Sequence, residues 1–302
     1  MINEIKLIEM WSDSLRHENL APSSIDLYCS DVSKFYHYCE DRKLPFSDIE
    51  LSDMREYMLY CTETQKYANA TMRRFVVVIR CFMRWLEANK NIAVNVVADL
   101  RIKKTASPLP SILEIESINR LLDLPDPEKQ PDLWLWIRDC AMFEVLYSSG
   151  LRVTELANLQ LGDVDLNQKL VRVNSGKGRK DRIVPLGSKA KKALQRWLMH
   201  RIEATPKSDH LFLGSLGNGL SRIQIYKRIK KQAARAGLSE NVYPHLLRHS
   251  FATHMLTASG DIRAVQEMLG HASLSTTQIY THLDFDHLAE TYDKAHPRSG
   301  FK

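Results

Sequence analysis

The sequence predicts a mainly α-helical protein of two domains: a helical domain over residues 1–100, and an α+β domain over residues 112–302 that carries a small antiparallel sheet. Three observations lead there. A chain of 302 residues, 44% of them apolar, is longer than one ordinary hydrophobic core supports. Through the first hundred positions apolar residues recur at spacings of three and four, the period of an amphipathic helix. Between Leu170 and Leu186 that period gives way to two short β-prone runs.

Taken in order, Ile25, Tyr28, Val32, Phe35 and Cys39 mark one buried helical stripe, entered through Pro22, whose fixed φ suits a first turn. From Thr71 to Leu86, Phe75, Val78, Ile79, Phe82 and Leu86 fall on one side of a helix, and Arg73, Arg80 and Arg84 line the other. A basic stripe backed by an apolar one suits a helix lying along DNA; it suits equally a surface helix whose arginines face water. The stretch DLRIKKTASPLPS, from Asp99 to Ser111, is basic, holds two prolines and lacks an apolar period. It reads as a linker, placed at residues 101–111.

Beyond the linker, Ile112–Leu124 and Leu133–Tyr147 read as helices. Leu170, Val171 and Val173, then Ile183, Val184 and Leu186, read as strands of a hairpin whose turn lies in NSGKGRKDR. Helical periodicity returns at Ala190. The segment PHLLRHSFATHML opens at Pro244 with first-turn geometry; His245, Arg248 and Ala252 share one face, and Leu247, Phe251 and Met255 another. Gly270 stops a helix ending at Leu269, and Ser275 with Gln278 forms a capping box for the next, which carries Tyr280. In Asp286–Ala295, Leu288, Ala289 and Tyr292 lie at helical spacings. That stretch can pack on its own domain.

Charge narrows the class. Net charge is +6, but residues 1–104 hold 15 basic and 15 acidic side chains, whereas residues 166–235 hold 18 basic against 3 acidic. Such a concentration is the footprint of a surface that meets polyanions, or of a heavily solvated helical face. The five cysteines form no CxxC pair, which argues against a zinc site or a disulfide framework. The N-terminus has no unbroken apolar core of signal-peptide type, and the most apolar stretch, Phe75 to Leu86, is interrupted by Arg80 and Arg84. The expectation is a cytoplasmic protein without a membrane partner.

Taken singly, the candidate functional residues are ambiguous. His245-x-x-Arg248 suits a phosphate-binding pair, and is also a spacing that chance supplies in a chain with 11 histidines. His245 and His249 are four apart, but Leu-Leu-Arg lies between them where a zinc protease has Glu. Arg152 can pair with Glu155 in a structural salt bridge, and a lone tyrosine such as Tyr280 is ordinarily a packed residue. Around Lys177 the ATP-binding loop pattern fails, because Val171 stands where glycine is needed and Gly178 follows the lysine. Asp163 and Asp165, in a turn, read as solvated acids before they read as a metal nuclease.

Jointly they carry a resemblance. The ordered set LRVTEL, SGKGRKDRIVPL, PHLLRHSFATHML and EMLGHASLSTTQIYTHLDF resembles the tyrosine recombinases, the lambda integrase family, across the C-terminal part. The segments Ser24–Phe35 and Arg73–Leu86 resemble that family's N-terminal helical core-binding, SAM-like domain. The resemblance implies a C-terminal catalytic domain with Arg152, Lys177, His245, Arg248, His271 and Tyr280 in the catalytic positions, and DNA contacts from Arg73, Arg80 and Arg84. It implies cutting and rejoining of double-stranded DNA through a 3′-phosphotyrosyl ester on Tyr280, with no metal and no cofactor. It further implies a DNA-bound heterotetramer with a second recombinase of the same family, and activation by a septal DNA translocase. Ala21, where related sequences often have Ser or Thr, is a small departure at a helix cap. A type IB topoisomerase-like enzyme and a noncatalytic DNA-binding protein on the same fold are the rival classes.

Overall fold

The computed structural model describes residues 4–18, 20–98, 100, 112–127, 133–174, 181–239, 241–270 and 282–300. The chain divides into two compact units, Met1–Ser107 and Pro108–Lys302, each with its own hydrophobic core. The expected linker at 101–111 lies outside the described residues.

Among the described residues the first unit is built of four helices: α1 (Glu4–His17), α2 (Pro22–Asp41), α3 (Leu51–Glu63) and α4 (Asn69–Ala88). Helix α2 opens on Pro22 and buries Ile25, Val32, Phe35 and Cys39, with Tyr28 packed partly buried beside them. Helix α4 buries Phe75, Val78, Ile79, Phe82 and Leu86 completely. Phe35 stands edge-on to Tyr57 at 5.0 Å and to Phe75 at 6.3 Å, so three helices meet around one ring. Arg74, on α4, donates from Nε and Nη2 to the buried Asp31 at 3.0 and 3.2 Å. That pair locks α2 to α4, since losing either partner would strand a buried charge.

The second unit holds α5 (Ile115–Leu122), α6 (Leu133–Ser148), α7 (Val153–Asn158), β1 (Val164–Asp165), β2 (Leu170–Val173), β3 (Arg182–Pro185), α8 (Ser188–His200), α9 (Arg222–Arg235), α10 (Pro244–Ser259), α11 (Ile262–Leu269) and α12 (His282–Ala295). Helix α6 is the central element: from Trp136 to Ser148 all but Cys140 is buried, and α8 and α10 pack on it. A helix buried on every side belongs inside a fold, and its charged residues Arg138, Asp139 and Glu144 are paired there. The sheet is antiparallel in the order β1-β2-β3, pairing Val171 with Val184 and Val173 with Arg182. Its two longer strands follow the sequence pattern. The two-residue β1 is too short for any period to show, and the turn from 175 to 180 lies outside the described residues.

Helix α5 begins at Ile115, three residues later than the sequence suggests. The Leu113 N–H instead donates to Ser250 Oγ at 2.9 Å, which holds that residue out of the helix. Helix α12 packs on its own unit, burying Leu288 and Tyr292 against α10, α11 and β3. The chain then folds into the core: His296 and Arg298 are buried, and Arg298 donates from Nη1 to Asn119 and Asp123 at 2.6 and 2.9 Å and from Nε to Glu144 at 3.2 Å. Among the described residues no helix is long and apolar enough to cross a membrane.

Candidate active site

The site is assembled at the end of α6. Gly150 follows that helix with φ +56°, and a Cβ there would lie 2.4 Å from Phe251 Cδ1, so neither the turn nor the space admits a side chain. The turn delivers Arg152 to the N-cap of α7. Glu155, at the third helical position, reaches back to accept from the Arg152 backbone N–H at 2.7 Å and from its Nη1 at 2.8 Å.

Two further guanidinium groups converge on the same carboxylate. Arg182 of β3 meets it fork to fork, Nη1 to Oε1 at 3.0 Å and Nη2 to Oε2 at 2.9 Å. Arg248, on the second turn of α10, brings Nη1 to 3.8 Å from Oε2 and donates to the Gly150 carbonyl at 2.5 Å. The same three side chains grip the end of α11 through successive carbonyls: Arg182 Nε on Met268 at 2.8 Å, Arg248 Nη2 on Leu269 at 2.6 Å and Arg152 Nη2 on Gly270 at 3.3 Å. Carbonyls at a helix C-terminus lack intrahelical donors and sit at the negative end of its dipole, so cations satisfy them twice over.

Three guanidinium groups against one carboxylate leave two positive charges in excess. Burial by itself would raise the Glu155 carboxyl, but the Arg182 fork and the Arg152 backbone and side-chain donors reverse this and hold it at about 2. Burial, with repulsion from Arg152, brings Arg248 down to about 10, still cationic at neutral pH. The arrangement therefore offers forked donors and surplus positive charge to an anion. Arg152 is the more open of the pair, its side chain 23% exposed against 10% for Arg248.

His245 lies one turn before Arg248 on α10 and is exposed. It lines a cavity of about 510 Å³ together with Val153, Tyr243 and a wall supplied by α9: Arg222, Ile223, Tyr226, Lys227 and Lys230. Helix α9 is held from behind by buried Ile225 and Ile229 and by Arg228 Nε on Asp139 at 2.5 Å. Its basic face is thereby fixed outward.

The structure thus brings Arg152 and Arg248 onto one carboxylate and sets His245 on the same helix as Arg248. Lys177, His271 and Tyr280 lie outside the described residues; the chain that carries His271 and Tyr280 departs at Gly270, beside Arg152, and returns at His282. In the first unit Arg84 is exposed and Arg73 half-buried, while Arg80 donates to the Leu100 carbonyl. Sequence reasoning missed Arg182 and named no residue of the α9 face. For Arg182 the signal was present: strand alternation puts it on the same side as buried Val184 and leaves Ile183 facing out.

The chain thus has a separate helical unit followed by a mixed α+β unit with a cluster of arginines around Glu155. Residues 112–287 match the phage integrase family, and residues 7–92 match its N-terminal SAM-like domain. The chain belongs to this family, the tyrosine recombinases, whose reaction is cleavage and rejoining of DNA by transesterification. The tyrosine recombinase XerC of Actinobacillus pleuropneumoniae serotype 7 is 48% identical over 224 residues, covering 74% of this chain and 71% of its own. XerC of Alcanivorax borkumensis is 38% identical over 304 residues, covering 98% and 95%. Among solved structures, the site-specific recombinase XerH bound to a palindromic difH substrate, a post-cleavage complex, is 25% identical with a TM-score of 0.71, covering 95% of this chain and 83% of that one.

Proposed function

We propose that this protein is a XerC-like site-specific recombinase that cuts and rejoins double-stranded DNA at dif-type sites, resolving chromosome or plasmid dimers in the cytoplasm. It works in a DNA-bound heterotetramer with a XerD-like partner, under a septal DNA translocase. The observation that carries the reading is that Arg152 and Arg248 stand 2.8 and 3.8 Å from one carboxylate, Glu155: two guanidinium groups this near one anion can share a phosphate.

In this reading Arg152 and Arg248 hold the nonbridging oxygens of the scissile phosphate, with His271 completing the cradle. The phenol oxygen of Tyr280 attacks phosphorus as the bond to the 5′ oxygen breaks. Lys177 gives that oxygen its proton, and His245 assists by hydrogen bonding and proton transfer at the phosphate. A free phenol titrates near 10, so roughly one in a thousand is ionised at neutral pH, and the positive site favours the phenolate as it forms. The ester keeps the energy of the phosphodiester, so a 5′ hydroxyl from another strand reverses the step without metal or nucleotide. The exposed basic face of α9, with Arg73, Arg80 and Arg84 of α4, supplies contacts to the duplex.

A duplex nicked beside the cleavage point, incubated with and without the partner and run on a denaturing gel, tests this. Wild-type protein forms a covalent adduct, mapped to Tyr280. Tyr280→Phe binds the duplex and forms none; an adduct surviving in that variant ends the assignment.

A further inference from the structure

We infer that Arg182 is a positioning residue for strand cleavage: its fork holds and neutralises Glu155, so that Arg248 stays off the carboxylate and Arg152 commits only one terminal nitrogen to it, leaving both guanidinium groups available to a phosphate. The inference rests on the proposed roles of Arg152 and Arg248.

Arg182 cannot act on DNA directly. Its side chain is 3% exposed, and all three of its nitrogens donate within the protein, Nη1 and Nη2 to Glu155 and Nε to the Met268 carbonyl. What it does is occupy both oxygens of Glu155 in the fork-to-fork geometry that a guanidinium and a carboxylate favour. Arg248 is thereby kept at 3.8 Å from that carboxylate, with its two terminal nitrogens on the Gly150 and Leu269 carbonyls. Arg152 takes one carboxylate oxygen with Nη1 and reaches the Gly270 carbonyl with Nη2.

Charge counting gives the same result. With Arg182 present the cluster holds three positive charges against one negative, and the carboxylate is satisfied by a residue too buried to meet the phosphate itself. Without it, a buried carboxylate of 8% exposure turns to the two remaining guanidinium groups, because an unpaired buried charge is costly. Each is then drawn away from the phosphate and partly neutralised. Arg182 packs tightly against the end of α11: a Cβ on Gly270, whose φ is +64°, would stand 2.9 Å from Arg182 Nη1. Arg182 also joins β3 to the end of α11 through Met268, so the strand five residues beyond Lys177 and the helix end just before His271 are fixed to one another.

A purely structural ion pair would lower stability and leave folded protein cutting normally. The test measures single-turnover adduct formation on the nicked duplex at saturating DNA, well below each variant's thermal midpoint, with DNA affinity measured alongside. Arg182→Met slows the adduct step by about 10²-fold, the scale of a misplaced catalytic group, at unchanged DNA affinity. Arg182→Lys, which keeps the charge and loses the fork, recovers about tenfold of that. Adding Glu155→Gln to Arg182→Met also recovers activity, because the unneutralised carboxylate is gone. Arg182→Met cutting at the wild-type rate, or a double variant slower than Arg182→Met, overturns the inference. Should Arg182→Met not fold, Arg182→Lys decides: slowed cleavage at unchanged affinity supports the role, and an unchanged rate overturns it. Arg248→Ala runs as the reference; wild-type cleavage there sinks the site assignment itself, a result distinct from a failure confined to Arg182.

Discussion

Ser148 Oγ and Tyr292 Oη lie 2.6 Å apart in the interior, joining the last residue of α6 to the last turn of α12. Ser148 Oγ also accepts from the Gly187 N–H at 2.8 Å, and a Cβ on Gly187 would stand 2.8 Å from the Tyr292 hydroxyl. Three elements therefore close on one hydroxyl pair two residues from Gly150, where the arginine cluster begins.

Tyr292→Phe removes one hydrogen bond from that junction and leaves the ring in place, at a cost of about 1 kcal/mol. Tyr292→Ala empties the space as well and costs about 3–5 kcal/mol. Urea unfolding of both variants checks this. A phenylalanine variant as stable as wild type would mean that the hydroxyl pair contributes nothing, and that α12 is held by packing alone.

The imidazole of His296, next in this buried stack, is pushed down to about 3 by burial and by the neighbouring Arg298 guanidinium. Its Nδ1 accepts from the Arg298 backbone N–H at 3.1 Å, and its ring lies parallel to that of Tyr292 at 4.6 Å. An unfolded histidine titrates near 6.5, so between about 3 and 6.5 the unfolded chain binds a proton that the folded one refuses. Stability is then complete above 6.5 and falls as pH drops toward 3, by about 1.4 kcal/mol per unit. His254, also lowered, first by burial, acts in the same direction. Denaturation at pH 6.5 and 5 should differ by about 2 kcal/mol in the wild type and by clearly less in His296→Phe, the comparison of the two proteins isolating the imidazole from the carboxylates that titrate in both. Equal slopes in the two proteins would contradict the assignment.

Local patterns explain what the sequence disclosed. His245 and Arg248 are three apart on a helix opened by Pro244, and Arg152 and Glu155 are three apart at a helix start, so spacing offers both pairs as candidates, and only the joint resemblance of the motifs assigns them. The two readings of Arg152, salt bridge or phosphate ligand, prove compatible, because Glu155 orients the guanidinium that it pairs with. What stayed hidden depends on distant partners. Arg182 meets Glu155 across 27 residues, and Arg298 meets Glu144 and Asp123 across 154 and 175. Strand alternation marks Arg182 as inward-facing, but neither propensity nor period names the counterion that a buried charge needs. The α9 wall escaped for a different reason: its lysines and arginines sit among many others, and only the burial of Ile225 and Ile229 selects the face that points outward.

Arg248→Ala should slow adduct formation by about 10²–10³-fold, the loss seen when one preorganised donor to a developing charge is removed. It should also cost roughly 1–3 kcal/mol of stability, because the Gly150 and Leu269 carbonyls lose a buried donor. Lysine is a poor replacement, since its single ammonium cannot span both carbonyls and a phosphate. Rates measured with folded, DNA-saturated protein separate the two effects. Near wild-type cleavage by either variant would remove Arg248 from the chemistry.

The α9 wall makes a prediction about salt. Lys227 and Lys230 are exposed on the face that lines the cavity beside His245, and Lys230 Nζ stands 5.1 Å from the Tyr226 ring, which braces it outward. If each neutralises one phosphate, binding releases one condensed counterion per lysine, and the plot of log affinity against log salt concentration should flatten by about 1 for each residue replaced by alanine. The loss should be nearly the same on matched and unrelated duplexes, because phosphates carry no sequence. Fluorescence anisotropy titrations over a range of potassium chloride concentrations give the slope directly. A double Lys227→Ala, Lys230→Ala variant whose slope equals that of the wild type would mean that this face looks into solvent when the duplex is bound, and the docking surface would have to be sought elsewhere on the unit.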